Sequence, residues 1–535
     1  MKKNSILTLL IFLFLSFLFN NTNAQNKTQM SAQKMGTLLY LIENFYTDTV
    51  NLEKVTENAI VTALKELDPH SAYISKKDVE KTNEPLVGSF EGIGVTFQLI
   101  RDTITVIGAV PGGPSEKVGI MAGDQFIKID GEDAFGKKVN NDYVQKHLRG
   151  KKGTTVNISV KRGKDKELID FEIVRDKIPL NSINAAFMMD KNIGYIKLDR
   201  FAQDSDKEFK AAMEKLQRQR MKDLILDLRS NSGGYLNTAI EMVDEFLKAD
   251  QLIVYTEGTH SPRQEWRSSD QGTFTKGKLV VLIDEGSASA SEILSGAIQD
   301  HDRGVVIGRR SFGKGLVQRP FNLPDGSVVR LTTSRYHTPT GRCIQRPYES
   351  GTEDYYKDLS KRLERGEYFH ADSIHFPDSL KYKTDNGRTV YGGGGIMPDI
   401  FMPVDTSFNS KLYTNLVRKG VFNKYTVDYA MANREKVKAQ YPKFSQFNKD
   451  FQVTDDMIDA MKEIAKNEKV EWNEEQYLRS EKYIKLQIKA MIARNIWEMQ
   501  QYYEVTLTED PTISKALEVI GNNKEYKKIL SNHTL

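Results

Sequence analysis

The sequence predicts a multidomain α+β protein with a layered α/β core, a small β-rich domain before that core, and helical regions at both ends. The chain has 535 residues, and at about 150 residues per domain this length predicts three or four domains. Residues 177–347 alternate apolar strands with amphipathic helices, which is the βαβ rhythm of a layered α/β domain. Residues 88–176 instead show short alternating strands between glycine turns, which predicts a small β domain.

The predicted elements of these two domains can be given individually. In the β-rich domain they are Gly92–Phe97, Thr103–Val110, Gln125–Asp130, Thr154–Arg162 and Glu167–Val174 as strands and Asn141–Leu148 as a helix. In the core they are Ile193–Leu198, Asp223–Leu228, Leu279–Ile283, Gly304–Gly308 and Val317–Leu323 as strands, and Ser205–Gln219, Thr238–Lys248 and Ser291–Asp300 as helices.

The remaining boundaries follow changes in composition. Residues 25–87 contain two amphipathic helices, whose apolar faces we assign to packing or dimerisation. Residues 348–390 are charged and form a predicted insertion with a hairpin at Asp385-Asn386-Gly387, and residues 391–405 return to the core. Residues 406–535 form a helical C-terminal extension, in which we predict helices at Glu474–Tyr503 and from Asp510-Pro511 onward.

The N-terminus has the pattern of a signal peptide at residues 1–24. Lys2 and Lys3 precede a 14-residue apolar or hydroxyl stretch, Ile6–Phe19, which is too short to span a bilayer comfortably. Small residues up to Ala24 offer a cleavage site. We therefore expect an exported protein, periplasmic or otherwise extracytoplasmic, with no stable membrane span after cleavage. An uncleaved membrane anchor is the alternative.

Composition excludes several functional classes. The net charge of +4 becomes +2 when residues 1–24 and their two lysines are removed, which gives no argument for nucleic-acid binding. Cys343 is the only cysteine, so the chain has no internal disulfide and no thiolate metal cluster. No HExxH motif is present. We therefore expect neither a metal ion nor an organic cofactor.

The most informative stretch is Ser287-Ala288-Ser289-Ala290-Ser291-Glu292, which lies between the apolar strand Leu279–Ile283 and a predicted helix. A turn of small residues at a strand end exposes a serine hydroxyl and directs helix N-terminal amides toward it. Amides of this kind can bind an oxyanion. Serine-rich turns are also common helix N-caps, so this stretch alone leaves both interpretations open.

Lys314 is flanked by glycines in Phe312-Gly313-Lys314-Gly315, which predicts a tight loop between two strands. A lysine acts as a general base only when it is neutral. Burial away from acids can lower a lysine pKa from about 10.4 toward roughly 7–8. Such a lysine can accept the proton of a serine hydroxyl.

Three competing patterns are disfavoured. Residues 308–314 resemble a phosphate-binding loop, but Gly315 stands where that loop has its Ser or Thr, and a strand rather than a helix follows. Ser31-Ala32-Gln33-Lys34 fits the S-x-x-K pattern of β-lactamases without its companion motifs. His301 ends the helix that follows Ser289, about 18 Å along its axis, which disfavours a histidine-dependent mechanism.

A series of motifs occurs in order along about residues 35–405: Leu67-Asp68-Pro69-His70-Ser71, Gly92-Ile93-Gly94-Val95, Gly113-Pro114-Ser115, 148–153, 227–234, 287–292, Gly313-Lys314-Gly315, 338–342 and 395–399. Through them the chain resembles the carboxyl-terminal processing proteases, also called tail-specific proteases. The resemblance implies a crotonase-like protease core at residues 177–347, a PDZ domain at residues 88–176, and peptide-bond hydrolysis through an acyl-enzyme. Cys343 departs from the family, which usually has a small hydroxyl residue there, and we interpret it as a buried free thiol.

The resemblance also implies a serine–lysine dyad, with Ser289 as nucleophile and Lys314 as general base. Glu292 and Gln318 are implied as supports. Glu292 lies one helical turn from Ser289, and Gln318 could hydrogen-bond the neutral lysine amine. The oxyanion-hole amides are implied at Gly233 or Gly234 and at Ala290.

The PDZ domain implies that substrates are proteins or peptides recognised by their C-termini, since such domains add a peptide as a strand and capture its terminal carboxylate. The implied substrate-binding residues are Ile93, Gly94, Val95, Val144 and Leu148. A homo-oligomer or an adaptor protein is a further possible partner. Two alternatives of other classes are a catalytically silent PDZ-containing peptide-binding protein or chaperone, and a retinoid- or lipid-binding relative of the same core. The presence of both Ser289 and Lys314 counts against them.

Overall fold

The computed structural model of the chain describes residues 27–163, 165 and 167–531. The predicted signal peptide at residues 1–24 lies outside the described residues. The described residues form two compact units, which are residues 27–77 with Pro320–Leu331 and residues 78–319 with residues 332–531. Among the described helices, none combines the length and the hydropathy that a membrane crossing requires.

The first unit contains the two helices that the sequence predicts near the N-terminus. Its elements are α1 (residues 27–45), α2 (Leu52–Lys65) and β1 (Ala72–Ile74). The Asn51 side chain caps α2 by accepting from the Lys54 amide, and β1 pairs antiparallel with residues 328–330. Several apolar side chains of α1 are exposed, and Phe45 is 73% exposed.

The β-rich domain of the second unit is a sheet with the strand order β3-β4-β5-β7-β8. Alternate apolar side chains of its strands pack with α5 into one core. β2 and β9 pair where the chain enters and leaves this domain. The elements are α3 (Val79–Val87), β2 (Ser89–Gly92), β3 (Val95–Ile100), β4 (Thr103–Ala109), α4 (Pro114–Val118), β5 (Gln125–Ile129), β6 (Glu132–Asp133), α5 (Asn141–Leu148), β7 (Thr155–Lys161), β8 (Ile169–Val174) and β9 (Asp176–Pro179).

The layered core follows the predicted alternation of strands and helices, and it also contains elements that the sequence analysis did not predict, namely the hairpin β13–β14 and the helix α9. The core elements are β10 (Ile183–Met188), β11 (Ile193–Leu198), α6 (Ser205–Arg218), β12 (Asp223–Asp227), α7 (Leu236–Asp244), β13 (Leu252–Gly258), β14 (Ser261–Arg267), β15 (Leu279–Ile283), α8 (Ala290–Asp300), β16 (Val305–Gly308), β17 (Leu316–Asn322), β18 (Val328–His337), α9 (Thr352–Glu364), β19 (Lys381–Lys383), β20 (Thr389–Tyr391) and β21 (Ile400–Phe401). The hairpin predicted at Asp385-Asn386-Gly387 is the antiparallel pair β19–β20.

The central sheet has the order β10-β11-β12-β15-β16-β21. All neighbours from β11 to β21 are parallel, and β10 is antiparallel to β11. The carboxyl ends of β12, β15 and β16 therefore meet at one edge of the sheet, which is where ligands bind in open α/β sheets.

The C-terminal extension is helical, as predicted, with elements α10 (Lys411–Arg418), α11 (Val421–Gln440), α12 (Phe444–Asp450), α13 (Asp455–Asn467), α14 (Glu474–Ile496), α15 (Met499–Thr506), α16 (Pro511–Gly521) and α17 (Asn523–Ile529). The prediction of one continuous helix at Glu474–Tyr503 is wrong. The chain leaves the helical conformation at Trp497, and α15 begins as a separate helix at Met499. The Trp497 ring packs against Phe444 and Phe447 at this break.

The two faces of the central sheet are covered by different parts of the chain. Leu224, Leu226 and Val281 pack with α6, α7 and α8 on one face. Alternate residues of the same strands, such as Ile225 and Val280, pack on the other face with side chains of α16 and α17. The last two helices of the extension therefore form the second helical layer of the core.

Candidate active site

Ser289 occupies a sharp turn between β15 and α8. Its backbone has φ 55° and ψ −112°, and a positive φ is uncommon for a residue other than glycine. Ala288 and Ala290 are buried, whereas Ser289 stays partly exposed. This strand-to-helix geometry resembles the strained turn that presents a serine nucleophile at the top of a sheet, and such strain persists only where the surrounding structure enforces it.

The two outer serines of this stretch fix the turn to the loop after β12. Ser287 Oγ donates to Leu228 O at 2.8 Å, and Ser291 Oγ donates to Asn231 O at 2.8 Å. The Ala288 amide also donates to Asn231 O at 3.0 Å. The serine-rich sequence therefore has a structural use at its two ends, with Ser289 held between them.

Glu292 joins the Ser289 turn to the loop that carries Lys314. Its carboxylate is fully buried. Oε2 accepts from the amides of Ser289 at 2.8 Å and Lys314 at 2.9 Å, while Oε1 accepts from Ser311 Oγ at 2.5 Å and the Gly313 amide at 2.7 Å. Burial raises the pKa of Glu292, and these hydrogen bonds oppose the increase. Because the Ser289 and Lys314 amides donate to the same Glu292 oxygen, their two nitrogen atoms lie close together.

Lys314 is partly exposed between the buried glycines Gly313 and Gly315. The Glu292 carboxylate brings its backbone beside that of Ser289. A lysine side chain is a flexible four-carbon stem with a terminal amine, so this backbone separation is short enough for the amine to reach the serine hydroxyl. The fold thus brings together the two residues that the sequence analysis selected from separate motifs.

Gly233 lies in direct contact with the Ser289 turn. Its φ is 96°, which favours glycine. A Cβ atom at this position would lie 2.7 Å from Ala288 O, 2.9 Å from Ala290 N and 2.9 Å from Ser289 Cβ. No side chain fits there. The glycine therefore keeps open the space beside Ser289 and the Ala290 amide.

The two glycines of this loop differ in their backbone partners. The Gly233 amide donates to Asn231 Oδ1 at 2.9 Å. Gly234 forms a parallel bridge with Phe201, and a Cβ at Gly234 would lie 2.1 Å from Phe201 O. Asn231 and Phe201 thereby fix the course of the loop past Ser289.

Gln318 lies on β17, and its Nε2 donates to Thr332 Oγ1 at 3.2 Å. A supporting bond from Gln318 to the lysine amine stays a prediction. His301 is engaged away from the Ser289 turn, since Nε2 lies 2.7 Å from Leu252 O and Nδ1 lies 2.8 Å from an Asp385 oxygen. Cys343 is a free thiol but is half-buried rather than buried as expected. This partial burial raises the pKa of Cys343, which disfavours the thiolate needed for nucleophilic attack.

Ser311 also supports this site and was not predicted from the sequence. Besides donating to Glu292, Ser311 Oγ accepts from the Ile396 amide at 2.6 Å, and the Ser311 amide donates to Ile396 O at 3.0 Å. The Gly395-Ile396-Met397-Pro398-Asp399 motif was the available signal, because it contains the partner of Ser311. Tyr336 was missed as well, and its hydroxyl donates to Ser289 O at 3.2 Å.

In the β-rich domain, Ile93, Gly94 and Val95 lie at the start of β3, which is a terminal strand in the order of its sheet. Ile93 O accepts from the amide and the hydroxyl of Ser115, and Gly94 O accepts from the Val110 amide. Gly94 has φ 73°. The turn before β3 is thus fixed by its carbonyl groups.

Val144 and Leu148 project from α5 into the core of the β-rich domain, where they are 2% and 4% exposed. Ile93 belongs to the same cluster. Val144 and Leu148, which were predicted to line a peptide groove, therefore lie in the buried core of this domain together with Ile93, and their part in binding a peptide stays a prediction.

Comparisons with known proteins agree with this architecture. Peptidase family S41 matches residues 192–354, a PDZ domain matches residues 92–173, and a family of unknown function, DUF8443, matches residues 412–498. The S41 and PDZ matches fall on the layered core and the β-rich domain, respectively.

Several curated relatives are similar to this chain over most of their own length. A carboxy-terminal-processing protease of Bartonella bacilliformis is 36% identical over 330 residues, which cover 61% of this chain and 75% of the relative. The carboxy-terminal processing protease CtpB of Bacillus subtilis is 31% identical over 369 residues, which cover 68% of this chain and 74% of the relative. Among solved structures, a photosystem II D1 C-terminal processing protease is 27% identical, with 58% of this chain and 83% of that chain covered and a TM-score of 0.33.

The extent of these matches, together with the S41 core and the PDZ domain, establishes that the chain belongs to the carboxy-terminal processing proteases, a family of serine-type peptidases.

Proposed function

We propose that the protein is an exported endopeptidase that binds the C-terminal tails of protein substrates with its PDZ domain and cleaves them through an acyl-enzyme on Ser289. Lys314 is the general base. The observation that carries this proposal is the Glu292 carboxylate, which accepts from the amides of both residues through one oxygen. Substitutions of Ser289 and Lys314 test the dyad, because loss of either residue should stop hydrolysis.

The mechanism starts from a neutral Lys314 amine. The amine accepts the Ser289 proton as Oγ attacks the scissile carbonyl, and a tetrahedral intermediate with a negatively charged oxygen forms. As the intermediate collapses, the peptide C–N bond breaks and Lys314 returns the proton to the leaving amine. A water molecule then attacks the acyl-enzyme as the same amine accepts its proton, and when the second intermediate collapses the ester bond to Ser289 Oγ breaks and Lys314 returns the proton to Oγ.

The Ala290 amide is the first donor that we assign to the oxyanion hole. Ala290 is the first residue of α8, so its amide is among those that a helix leaves without an internal partner. The second donor is an amide of Gly233 or Gly234. Since the Gly233 amide already donates to Asn231 Oδ1, the bonding pattern favours Gly234. Both amides would stabilise charge that develops only during the reaction.

Amidation of the substrate C-terminus is expected to lower kcat/KM by roughly 10- to 100-fold, because charge-assisted hydrogen bonds contribute about 1.5–3 kcal/mol. The turn at Ile93–Val95 would bind the terminal carboxylate, and the apolar side chains of Val144 and Leu148 would favour an apolar last residue. Rates are compared for one unstructured substrate with a free or an amidated terminus.

A matched substrate with one internal Glu changed to Gln loses the same charge elsewhere and should be cleaved at the unmodified rate. Equal rates for the free and the amidated terminus would contradict recognition of the tail by the PDZ domain.

Export and self-association also belong to the proposal. Export is supported by the signal-peptide pattern of residues 1–24 and is tested by whether the N-terminus of secreted protein is Gln25.

Self-association through α1 is supported by the exposed apolar side chains of Leu38, Leu41 and Phe45. Light scattering should give a larger mass for the mature protein than for a Leu38→Glu, Phe45→Glu variant, and equal masses would refute this assembly.

A further inference from the structure

The helix α9 contacts the loop that carries Lys314. We call residues 311–314 the base loop. Arg362 of α9 is 1% exposed, and its guanidinium donates from Nη1 to Ser311 O at 2.8 Å and from Nη2 to Phe312 O at 3.1 Å. The donors of a guanidinium form a planar, rigid fork. Arg362 therefore restricts two successive carbonyl groups that immediately precede Gly313 and Lys314.

A second arginine holds the base loop from the segment after β18. The Arg346 amide donates to Gly313 O at 3.1 Å. Its guanidinium lies 4.0 Å from the ring centroid of Phe312 and 3.9 Å from that of Tyr355, which belongs to α9. Arg346 thus ties the base loop to α9 through ring contacts in addition to its backbone bond.

Asp358 of α9 connects the two arginines. It accepts from Arg362 Nε and Arg346 Nη1, both at 2.9 Å. Burial alone would raise the pKa of Asp358, but the charges of Arg362 and Arg346 hold this pKa below its usual value. The carboxylate stays ionised and fixes the orientation of both guanidinium groups toward the base loop.

We infer that α9 is a clamp on the base loop and that Arg362 is a positioning residue for Lys314, acting through the carbonyl groups of Ser311 and Phe312. The inference rests on the proposed role of Lys314 as general base. The S41 match ends at residue 354, so Asp358 and Arg362 lie beyond it. Two residues of the predicted insertion, Asp358 and Arg362, therefore support the base loop.

The two possible roles of Arg362, positioning of Lys314 and stabilisation of the fold alone, lead to different expected kinetics when the residue is replaced. Loss of a structural contact lowers the free energy of unfolding and leaves the chemical step of the folded enzyme unchanged. Loss of a clamp displaces the base from its hydrogen-bonding geometry, and a displacement of about 1 Å can cost on the order of 10²-fold in rate. Arg362 is 1% exposed, so we expect it to make no contact with a substrate and its loss to leave substrate binding unchanged.

The test compares Arg362→Met and Arg362→Lys with the control Arg365→Met in the full-length mature protein. Arg365 lies just after α9 and contacts Asp358 and Glu367, but it is 46% exposed in its side chain. The measurements are kcat, KM, the rate of Ser289 labelling by a fluorophosphonate, the affinity for a tail peptide, and the melting temperature.

For Arg362→Met we expect kcat and the labelling rate to fall roughly 10- to 100-fold, with KM and tail-peptide affinity within about twofold of wild type. For Arg362→Lys, kcat and the labelling rate should lie between those of Arg362→Met and wild type, since an ammonium group keeps the charge but not the planar fork. Arg365→Met should keep wild-type kcat.

Wild-type kcat in folded Arg362→Met would overturn the inference while leaving the dyad intact, provided that Lys314→Ala is inactive. Should Arg362→Met fail to fold, Arg362→Lys decides: a reduced kcat at an unchanged melting temperature supports the clamp, and wild-type kcat overturns it. An active Lys314→Ala would instead overturn the proposed function and this inference together.

Discussion

Ser289→Ala is expected to abolish peptide hydrolysis and leave the protein folded. The substitution removes the proposed nucleophile, and removal of a serine nucleophile can cost on the order of 10⁶-fold in kcat. The fold should tolerate it, because Ser287 and Ser291 supply the hydroxyl groups that tie this turn to the β12 loop. The measurements are cleavage of an unstructured substrate, the melting temperature, and the affinity for a tail peptide, of which only the first should change.

Ser287→Ala is the matched control, since it makes the same change two residues away. Ser287 Oγ donates to Leu228 O and accepts from the Asp284 amide, and loss of these buried bonds should lower stability by about 1–3 kcal/mol. The variant should melt earlier and still cleave substrate when folded. Hydrolysis at the wild-type rate by Ser289→Ala would remove Ser289 from the mechanism.

A chelator should leave the wild-type rate unchanged under the proposed serine mechanism. Activity that EDTA removes and zinc restores would instead indicate a metal-dependent reaction.

Lys314→Arg is expected to be nearly as damaging as Lys314→Ala. A guanidinium keeps the positive charge and the approximate length of lysine, but it stays protonated at any working pH and cannot accept the serine proton. The loss should be on the order of 10²- to 10⁴-fold, the range for removal of a general base, or more. Steady-state kinetics should show a lower kcat with KM near its wild-type value.

The pH dependence provides a second measurement of the same role. A protonated lysine cannot act as a base, so kcat/KM of the wild-type enzyme should rise with pH as the Lys314 amine loses its proton. Any residual activity of Lys314→Arg should lack this rise, because the arginine does not titrate in the accessible range.

Lys210→Arg serves as the control for a charge-preserving substitution in the same core. Lys210 pairs with Glu245 at 3.4 Å and is 45% exposed in its side chain, and arginine can keep that pair. Wild-type rates are expected. If Lys314→Arg were as active as this control, Lys314 would serve as a charge or a salt-bridge partner, and the dyad would be refuted.

Local sequence determines many elements of this protein. The bounds predicted for α5, β11 and β15 agree with the structure, since apolar periodicity and an N-cap at Asn140 act over a few residues. The small-residue turn and the glycine-flanked lysine were also noticed from local sequence, whereas the roles of Ser289 and Lys314 were implied by the family resemblance. Each of these patterns can be recognised from a few consecutive residues, without knowledge of the tertiary contacts.

Local periodicity predicts poorly where a helix ends for tertiary reasons. The apolar stripe of α14 continues past Ile496, but the chain turns at Trp497 because that ring packs against the rings of Phe444 and Phe447 in α12. The position of Arg362 was not predicted for a related reason, since a buried arginine resembles the charged surface residues of an insertion until its partners are known.

The tertiary structure alone decided how the separate motifs combine. The sequence placed Glu292 on the same helical face as Ser289, but only the fold shows that its carboxylate is buried and accepts from the amides of both the serine turn and the base loop. Likewise, Asp510-Pro511 predicted the start of a final helix without indicating its location, and the structure has two helices there, α16 and α17. They cover the central sheet, where Tyr526 Oη bonds to the backbone of Leu279. An apolar stripe specifies that a surface must be buried, whereas the partner that buries it depends on contacts between residues hundreds of positions apart.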